Sequence, residues 1–490
     1  MLKGTTKIEL TDVRTGETQV FEKHNTVTGA LQELFNPVLG HLTSESNLNS
    51  LMPSHTTLLG GLLMFNSRIE GSPAPIFAPG DAKLVGCARY NVATTSGSKY
   101  FGSYDASGSE IDLENKRIKL VYSFTPSQAN GTINSVCLTH SVGGLGVYNG
   151  DVGAKLSSTK LGQSSLYATP TVKFMRDNRD RYSALYIDGT EYLYAIDVDN
   201  DFAYYFKITS TKLTLVKRKA CLKHFSIFGN SADVVDTKEF TLTRQMYNLN
   251  GSYNYDNESG TLNIVTSASS VANSGNEFWV TSVPLHGTAI TQRVITNTSG
   301  KKLGLNNCFT YGGRIYMTPA YDAGTSVTIN GSTARKYEVI SFSLTDGALN
   351  THGSIISPLL SSSSDLPRPM CAMSGRLYWQ ALNSTVQGIG GLQVTNCTDA
   401  PGAENTSLCG VDHIEYWTYS GQNKQAACTP VINHPMLLYM SYSNSTGSSG
   451  AFVERFYYLA HYLATVNNLA TPIVKAPTQS MTVTYTLTET

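Results

Sequence analysis

Met481-Thr-Val-Thr-Tyr-Thr-Leu-Thr-Glu489 alternates apolar and polar residues without a break and has no neighbouring strand to pair with. Period-two alternation predicts a half-buried β-strand. A single exposed strand is unstable in water, so its partners must come from elsewhere in the chain. The best candidates, Lys119-Leu-Val-Tyr-Ser-Phe124 and Ile133-Asn-Ser-Val-Cys-Leu138, lie far upstream. The end of the chain is therefore expected to return and complete the N-terminal domain. That places residues 1–150 and 455–490 in one β-sandwich-like base and leaves residues 151–454 as an inserted β domain. Display of an insert on a base points to binding or assembly more than to catalysis.

The base reads as follows. Lys7-Ile-Glu-Leu-Thr-Asp-Val13 and Thr18-Gln-Val-Phe-Glu22 make a hairpin about the turn Arg14-Thr-Gly-Glu17. A short helix is expected next, capped by Asn25 or Thr26, with Val27, Ala30, Leu31, Leu34 and Phe35 on one face and Pro37 ending it. Leu58-Leu-Gly-Gly-Leu-Leu-Met-Phe65 is apolar on both faces, as a buried central strand requires. Pro73 to Pro79 reads as a loop, and two more strands flank the turn Gln128-Ala-Asn-Gly131.

The middle of the chain repeats a different unit. Gly189-Thr-Glu-Tyr-Leu-Tyr, Gly260-Thr-Leu-Asn-Ile-Val, Gly313-Arg-Ile-Tyr-Met, Gly375-Arg-Leu-Tyr-Trp and Pro435-Met-Leu-Leu-Tyr-Met are comparable strand openings. Tyr337-Glu-Val-Ile-Ser-Phe-Ser-Leu-Thr-Asp-Gly347 is a strand running into an Asp-Gly turn. Recurring short strands separated by turns suit the blades of a β-propeller, although these openings are more widely and irregularly spaced than usual. A non-repeating β-sandwich insert is the alternative.

Composition narrows the function classes. The chain has 490 residues, 36 Lys+Arg against 36 Asp+Glu, and 15% charged residues. That balance argues against electrostatic nucleic-acid binding and against disorder. The N-terminus lacks the apolar core of a signal peptide, and no stretch is long enough to span a membrane. Eight cysteines without a CxxC pair suit free thiols, with the tract from Cys397 to Cys428 as the one place for a metal or disulfide.

No Walker A loop, GxSxG elbow or HExxH pair occurs. Asp197-Val-Asp-Asn-Asp201 has the carboxylate alternation of a calcium loop, but Phe202 and Ile208 occupy the positions that need Gly and Glu. Asp197, Asp199 and Asp201 remain candidates for a non-standard cation site, and a turn between two strands is the simpler reading. Asn273-Ser-Gly-Asn-Glu-Phe278 resembles part of a sialidase Asp-box turn in a single copy, and Arg176-Asp-Asn-Arg-Asp-Arg181 reads as a solvated loop. Tyr, Ser, Gly and Asn are abundant in the insert, a mixture favoured in recognition loops. Trp279, Trp379 and Trp417 are candidate ligand-binding platforms for sugar rings, against the alternative that strand aromatics fill the blade cores. No catalytic residue and no cofactor are nominated.

The opening Met1-Leu-Lys-Gly-Thr-Thr-Lys-Ile-Glu-Leu-Thr-Asp-Val-Arg-Thr-Gly-Glu17, with Asn25-Thr-Val-Thr-Gly-Ala-Leu31, resembles the N-terminal region of virion proteins of tailed bacteriophages of gut Gram-positive bacteria. Leu59-Gly-Gly-Leu-Leu-Met-Phe65, Gly102-Ser-Tyr-Asp105, Tyr122-Ser-Phe-Thr-Pro-Ser-Gln-Ala-Asn-Gly-Thr132, Val136-Cys-Leu-Thr-His140 and the closing Lys475-Ala-Pro-Thr-Gln-Ser-Met-Thr-Val-Thr-Tyr485 extend the likeness. It covers the base and not the insert. It implies a virion protein of the tail or fibre type, made in the bacterial cytoplasm. Its partners would be other virion proteins, copies of itself in a homo-oligomer such as a trimer, and host surface glycan or another receptor. The alternatives are a head- or collar-attached decoration protein and a polysaccharide-degrading propeller.

Overall fold

The structure, a computed structural model, describes residues 2–28, 59–69, 84–93, 99–112, 114–139, 171–172, 191–220, 234–246, 251–267, 276–320, 324–329, 332–358, 368–373, 375–381, 391–396, 407–409, 428–444, 451–458 and 462–489. It is mainly β.

The base strands are β1 (Leu2–Asp12), β2 (Thr18–Val27), β3 (Gly61–Phe65), β4 (Leu84–Arg89), β5 (Ser103–Tyr104), β6 (Glu110–Asp112), β7 (Arg117–Phe124) and β8 (Gly131–Thr139), joined by β30 (Thr465–Lys475) and β31 (Gln479–Glu489). They form one ten-stranded sheet in the order β4-β3-β8-β30-β2-β1-β31-β7-β5, with β6 on β7. The sheet turns a corner where β2 passes from β1 to β30, at Thr26–Val466 and Val27–Thr465. Its two halves then share one core, as in a sandwich. The far edges nearly meet: Cys87 N donates to Tyr100 O at 3.0 Å and Gly102 N donates to Cys87 O at 2.9 Å. The result is close to a barrel, which leaves little open edge.

β31 lies between β1 and β7. It is antiparallel to both, from Leu2–Glu489 to Asp12–Gln479 on one side and from Met481–Phe124 to Thr488–Arg117 on the other. Met481, Val483, Tyr485 and Leu487 are 0–3% exposed, while the threonines between them point the other way. Burying four such side chains stabilises by roughly 6–12 kcal/mol, at about 1.5–3 kcal/mol each. That is comparable to the whole stability of a typical domain. Of the two partners expected from sequence, β7 is confirmed and β8 is not. β8 pairs with β30 instead, and the second neighbour of β31 is β1.

Two more features tie the chain ends together. Lys475 is buried, and its Nζ donates to Thr125 O (3.1 Å), Pro126 O (3.3 Å) and Asn130 Oδ1 (2.8 Å) in the β7–β8 turn. Burial pushes this amine down to about 8, while three acceptors match the three protons of the ammonium. In β30, residues 469–472 bulge out between Asn468–Ser135 and Ile473–Ile133. The Asn468 side chain closes the neck of the bulge, accepting from Ile69 N at 2.8 Å and donating to Ile69 O at 2.6 Å.

β3 is a central strand buried on both faces, as its sequence requires. Leu62 and Met64 enter the core shared with β31, and Leu63 and Phe65 enter a second cluster with Cys87, Cys137 and Val466. The expected helix start is corrected. β2 runs through Val27, so Asn25 and Thr26 are ladder residues paired with β1 and β30, and Asn25 Oδ1 accepts from Thr6 Oγ1 at 2.9 Å. The rest of that helix, like the Pro73–Pro79 loop, lies outside the described residues.

The insert begins with β9 (Thr171–Val172) and then runs through successive groups. The first is β10 (Tyr192–Asp197), β11 (Phe202–Ile208), β12 (Lys212–Lys219) and β13 (Val234–Thr241). The second is β14 (Gly251–Asp256), β15 (Thr261–Ser267), β16 (Glu277–Pro284) and β17 (Thr291–Thr296). The third holds β18 (Phe309–Tyr311), β19 (Arg314–Met317), β21 (Ser332–Ser343) and β22 (Leu349–Pro358), with β20 (Thr325–Ile329) added as a hairpin on β21. The fourth is β23 (Arg368–Met373), β24 (Arg376–Ala381), β25 (Gly391–Asn396) and β26 (Ser407–Cys409). The fifth is β27 (Cys428–Val431), β28 (His434–Asn444) and β29 (Ala451–Tyr458), completed by β9.

The first strands of the groups close a ring. β10 lies against β14, β14 against β18, β18 against β23, β23 against β27, and β27 beside β10. This is the arrangement of a β-propeller with five blades among the described residues. β14, Gly-Ser-Tyr-Asn-Tyr-Asp, shows how sequence builds the seams. Tyr253 and Tyr255 pack towards the first blade, with Tyr253 4.9 Å from the Phe206 ring and Tyr255 6.2 Å from the Tyr194 ring. The polar residues between them reach the third blade. Ser252 Oγ donates to Leu305 O and accepts from Cys308 N, and the Asn254 amide exchanges two 2.8 Å bonds with the Thr310 backbone. Asn254 thus satisfies the free inner edge of β18 much as another strand would.

The repeat has a backbone cause. The residue before the second strand of each blade has positive φ: Asp201 (63°), Gly260 (63°), Gly313 (74°), Gly375 (73°) and Asn433 (62°). Glycine takes this conformation freely, and Asn and Asp tolerate it. The second strands start at 202, 261, 314, 376 and 434, separations of 59, 53, 62 and 58 residues. Gly189 precedes a first strand and is out of phase with the others, which explains why the step from it to Gly260 is the longest seen in sequence.

The chain leaves the base at β8 and returns at β30 through one point. Thr465 pairs with Leu138, and Thr139 Oγ1 donates to Tyr462 O at 2.8 Å. β29 still belongs to the fifth blade, so the crossing falls between Tyr458 and Thr465. Base and insert share one buried cluster that includes Tyr462, Ala464, Ile196, Val198, Val431 and Tyr439.

Deleting residues 476–490 removes β31 and exposes β1 and β7. Scanning calorimetry should lose the transition of the base, and an unchanged transition would overturn the discontinuous pairing. Gly313→Val should cost about 1–2 kcal/mol through left-handed backbone strain alone, since nothing lies within 4 Å of an added Cβ. Gly313→Asn should cost less, and urea unfolding of the two variants would show a reversed order if the turn did not need positive φ.

Candidate ligand-binding site

The three tryptophans have different fates. Trp379 on β24 is 0% exposed and packs with Phe309, Tyr311, Tyr316, Val339, Ile355 and Leu377 between the third and fourth blades. It offers no face to a ligand, so its place as a candidate platform is corrected to core packing. Trp417 lies outside the described residues. Trp279 on β16 is half-buried and keeps part of its ring at the surface. Many tyrosines are core residues as well, among them Tyr122, Tyr194, Tyr205, Tyr337 and Tyr439.

Asp197-Val-Asp-Asn-Asp201 is the turn from β10 to β11. The Asp197 carboxylate accepts from Asn200 N (2.9 Å) and Asn200 Nδ2 (2.8 Å), so its oxygens serve the turn itself. Asp199 Oδ2 lies 3.1 Å from His434 Nε2, a contact between the first and fifth blades. Among the described residues no group of three or more His, Cys, Asp or Glu side chains converges on one point. Cys87, Cys137, Cys308 and Cys371 are buried free thiols, and most of the Cys397–Cys428 tract, the Asp-box-like turn up to residue 275 and Arg176–Arg181 lie outside the described residues.

The surroundings of Trp279 form a small built site. On β16, Phe278 and Val280 point into one interblade core, while Trp279 and Thr281 point to the opposite face. Thr281 is opposite Gln292 and Trp279 is opposite Val294 on β17. The connection from β13 to β14 crosses this face, held by buried Leu242 and Met246. Between those two anchors, Thr243, Arg244 and Gln245 are exposed.

One side chain fixes the crossing segment. Gln292 Oε1 accepts from Thr243 N (2.7 Å), Thr243 Oγ1 (2.8 Å) and Arg244 N (3.1 Å). Gln292 Nε2 donates to Thr281 Oγ1 (3.2 Å) and Arg244 O (3.3 Å). With its backbone held on both sides, Arg244 places its guanidinium 5.7 Å from the Trp279 ring centroid, within cation–π range. The indole Nε1 is buried and has no acceptor among the described residues. The site therefore combines a half-buried aromatic side chain with the N–H donors of a guanidinium, which is the chemistry of recognition. Sequence reasoning found Trp279 and missed Arg244 and Gln292. Arg244 precedes Trp279 by an entire hairpin, and only the blade fold brings them together.

No protein-family model and no curated protein matches the chain. Solved structures with partial likeness include a nidogen/laminin complex, at 14% identity over 51% of this chain and 72% of that one, with a TM-score of 0.24. A cobalt-substituted Synechocystis ACO matches at 8% identity over 59% of this chain and 63% of that one, with a TM-score of 0.23. The polysaccharide lyase Uly1 matches at 11% identity over 76% of this chain and 82% of that one, also with a TM-score of 0.23. Likeness of this size carries no argument about this chain.

Gln292→Leu keeps the side-chain bulk and leaves three donors of Thr243 and Arg244 without their acceptor. A loss of about 1–2 kcal/mol is expected on urea unfolding, because the segment is partly solvated. The Trp279 contribution to fluorescence should move to longer wavelength while buried Trp379 is unaffected. An unchanged emission spectrum would show that Gln292 does not hold Arg244 over the indole.

Proposed function

We infer that the chain is a structural protein of a tailed-phage virion, of the tail-fibre or tail-tip kind, and that it presents its insert to the host cell surface. The observation that carries this reading is the return of β31 between β1 and β7. It makes a nearly closed base from the two chain ends and leaves the insert carried between β8 and β30. A base of this kind suits attachment to other virion proteins and to copies of itself, with a trimer as the expected assembly. At the end of the base away from the insert, beside the β1–β2 and β30–β31 turns, Val13 and Val474 are 56% and 64% exposed. Apolar side chains left in water there suit contact with a partner.

Binding through a shallow site such as the one around Trp279 would be weak for a single copy. Repetition on one particle multiplies it, because each further contact becomes intramolecular. The ligand class is host surface glycan, and the mechanism is adhesion without a chemical step.

Two measurements test the reading together. A tag on this chain should label the tail of the particle in electron micrographs, and the purified protein should adsorb to host cells and reduce infection in competition. Labelling confined to the capsid, with no adsorption, would transfer the chain to decoration. Release of reducing sugar from host polysaccharide would replace adhesion by catalysis.

A further inference from the structure

We propose that Arg244 and Trp279 form the anchoring subsite for an anionic saccharide, with the sugar ring against the indole and its carboxylate or phosphate on the guanidinium edge. The proposal rests on the host-surface reading and names the ligand chemistry of that site.

Several arginines of the chain are already committed to partners. Arg117 pairs with Glu110 and Asp112, and Arg218 binds Glu191 through two donors. Arg293 donates to Leu344 O, and Arg314 donates to Ser341 and Ala348. Arg244 is exposed and takes part in no ion pair among the described residues, yet its backbone N–H and C=O are both held by the Gln292 side chain. A solvated arginine with no task needs no such support.

The guanidinium lies beside the indole, 5.7 Å from its centroid, and no ion pair among the described residues holds it. Its N–H donors lie in its own plane and stay available at the edge, in the fork that matches two oxygens of a carboxylate or phosphate. The half-buried indole beside it supplies apolar area against which the C–H face of a sugar can pack. Thr243 Oγ1, already ordered by Gln292, places a hydroxyl at the same rim. The Arg244 backbone and the Thr243 hydroxyl are held before any ligand arrives, so less conformational entropy remains to be lost on binding. A neutral sugar would use the ring and leave the guanidinium without a partner, so anionic sugars should be preferred. The chain carries no net charge, so this preference has to come from the local site.

The test is calorimetric titration of the full-length protein with three oligosaccharides of equal length: one bearing glucuronic acid, one bearing glycerol phosphate and one neutral glucan. At least one anionic probe should bind ten-fold or more tightly than the neutral one, with affinity falling as salt is raised. The two anionic arms distinguish a carboxylate ligand from a phosphate ligand. Arg244→Gln should weaken the anionic probe ten-fold or more at unchanged thermal stability. Arg244→Lys should recover part of that loss, and Arg293→Gln should bind as the parent does. Equal binding of neutral and anionic probes, failure of both anionic probes, or full binding by Arg244→Gln would overturn the subsite. Adsorption to host cells is measured in parallel. Normal adsorption without anionic binding refutes the subsite and leaves the adhesion reading intact. Anionic binding without adsorption supports the subsite and refutes that reading.

Discussion

The constraint on which the structure depends is the ladder that β31 makes with β1 and β7 at once. It unites the most distant parts of the chain and supplies an entire row of the core. Without it, β1 and β7 would each present a long open edge. The ladder also has a topological consequence. Because its strands come from both ends, the described strands between Thr139 and Tyr462 are an insertion between β8 and β30. The insert is therefore packed against the base through a shared buried cluster rather than strung on as a serial domain.

Ring closure in the insert follows the same rule on a smaller scale. Among the described residues β9 is the first strand of the insert, and yet it completes the fifth blade against β29. The first and fifth blades meet again at the inner ring, where Ile432 N donates to Ile196 O at 2.8 Å and Asp199 meets His434. Local pairs within blades give the hairpins, and these non-local pairs give the closed circuit. The cost of long loop closure is borne by contacts that form late, so folding is expected to be slow for a chain of this topology.

The proposed site shows how a blade surface becomes specific. The hairpin of β16 and β17 is regular, and nothing in its alternation marks a site. A single carboxamide, Gln292, changes that by holding a segment from the preceding blade with four hydrogen bonds and bracing itself on Thr281 with a fifth. The same kind of polar side chain, Asn254, is used one strand-layer inward to satisfy the edge of β18. In both places an amide matches backbone groups that the sheet leaves open. One outcome is structural and the other leaves a charged group aimed at solvent.

The sequence by itself determined the β class, the hairpin of β1 and β2, the two-faced burial of β3 and the need for β31 to find distant partners. These follow from side-chain periodicity, which needs no knowledge of neighbours. It also carried the positive-φ positions of the blade turns, although Gly189 could be aligned with them only by mistake while Asp201 was hidden by its residue type. Tertiary structure alone decided that β1 rather than β8 flanks β31, that Val27 ends a strand rather than starting a helix, and that Trp379 fills a core while Trp279 reaches the surface. The physical reason is common to all three. Alternation says that one face of a strand is buried, but which partner buries it depends on pairing across the chain, and that competition is settled only when all the strands are in place.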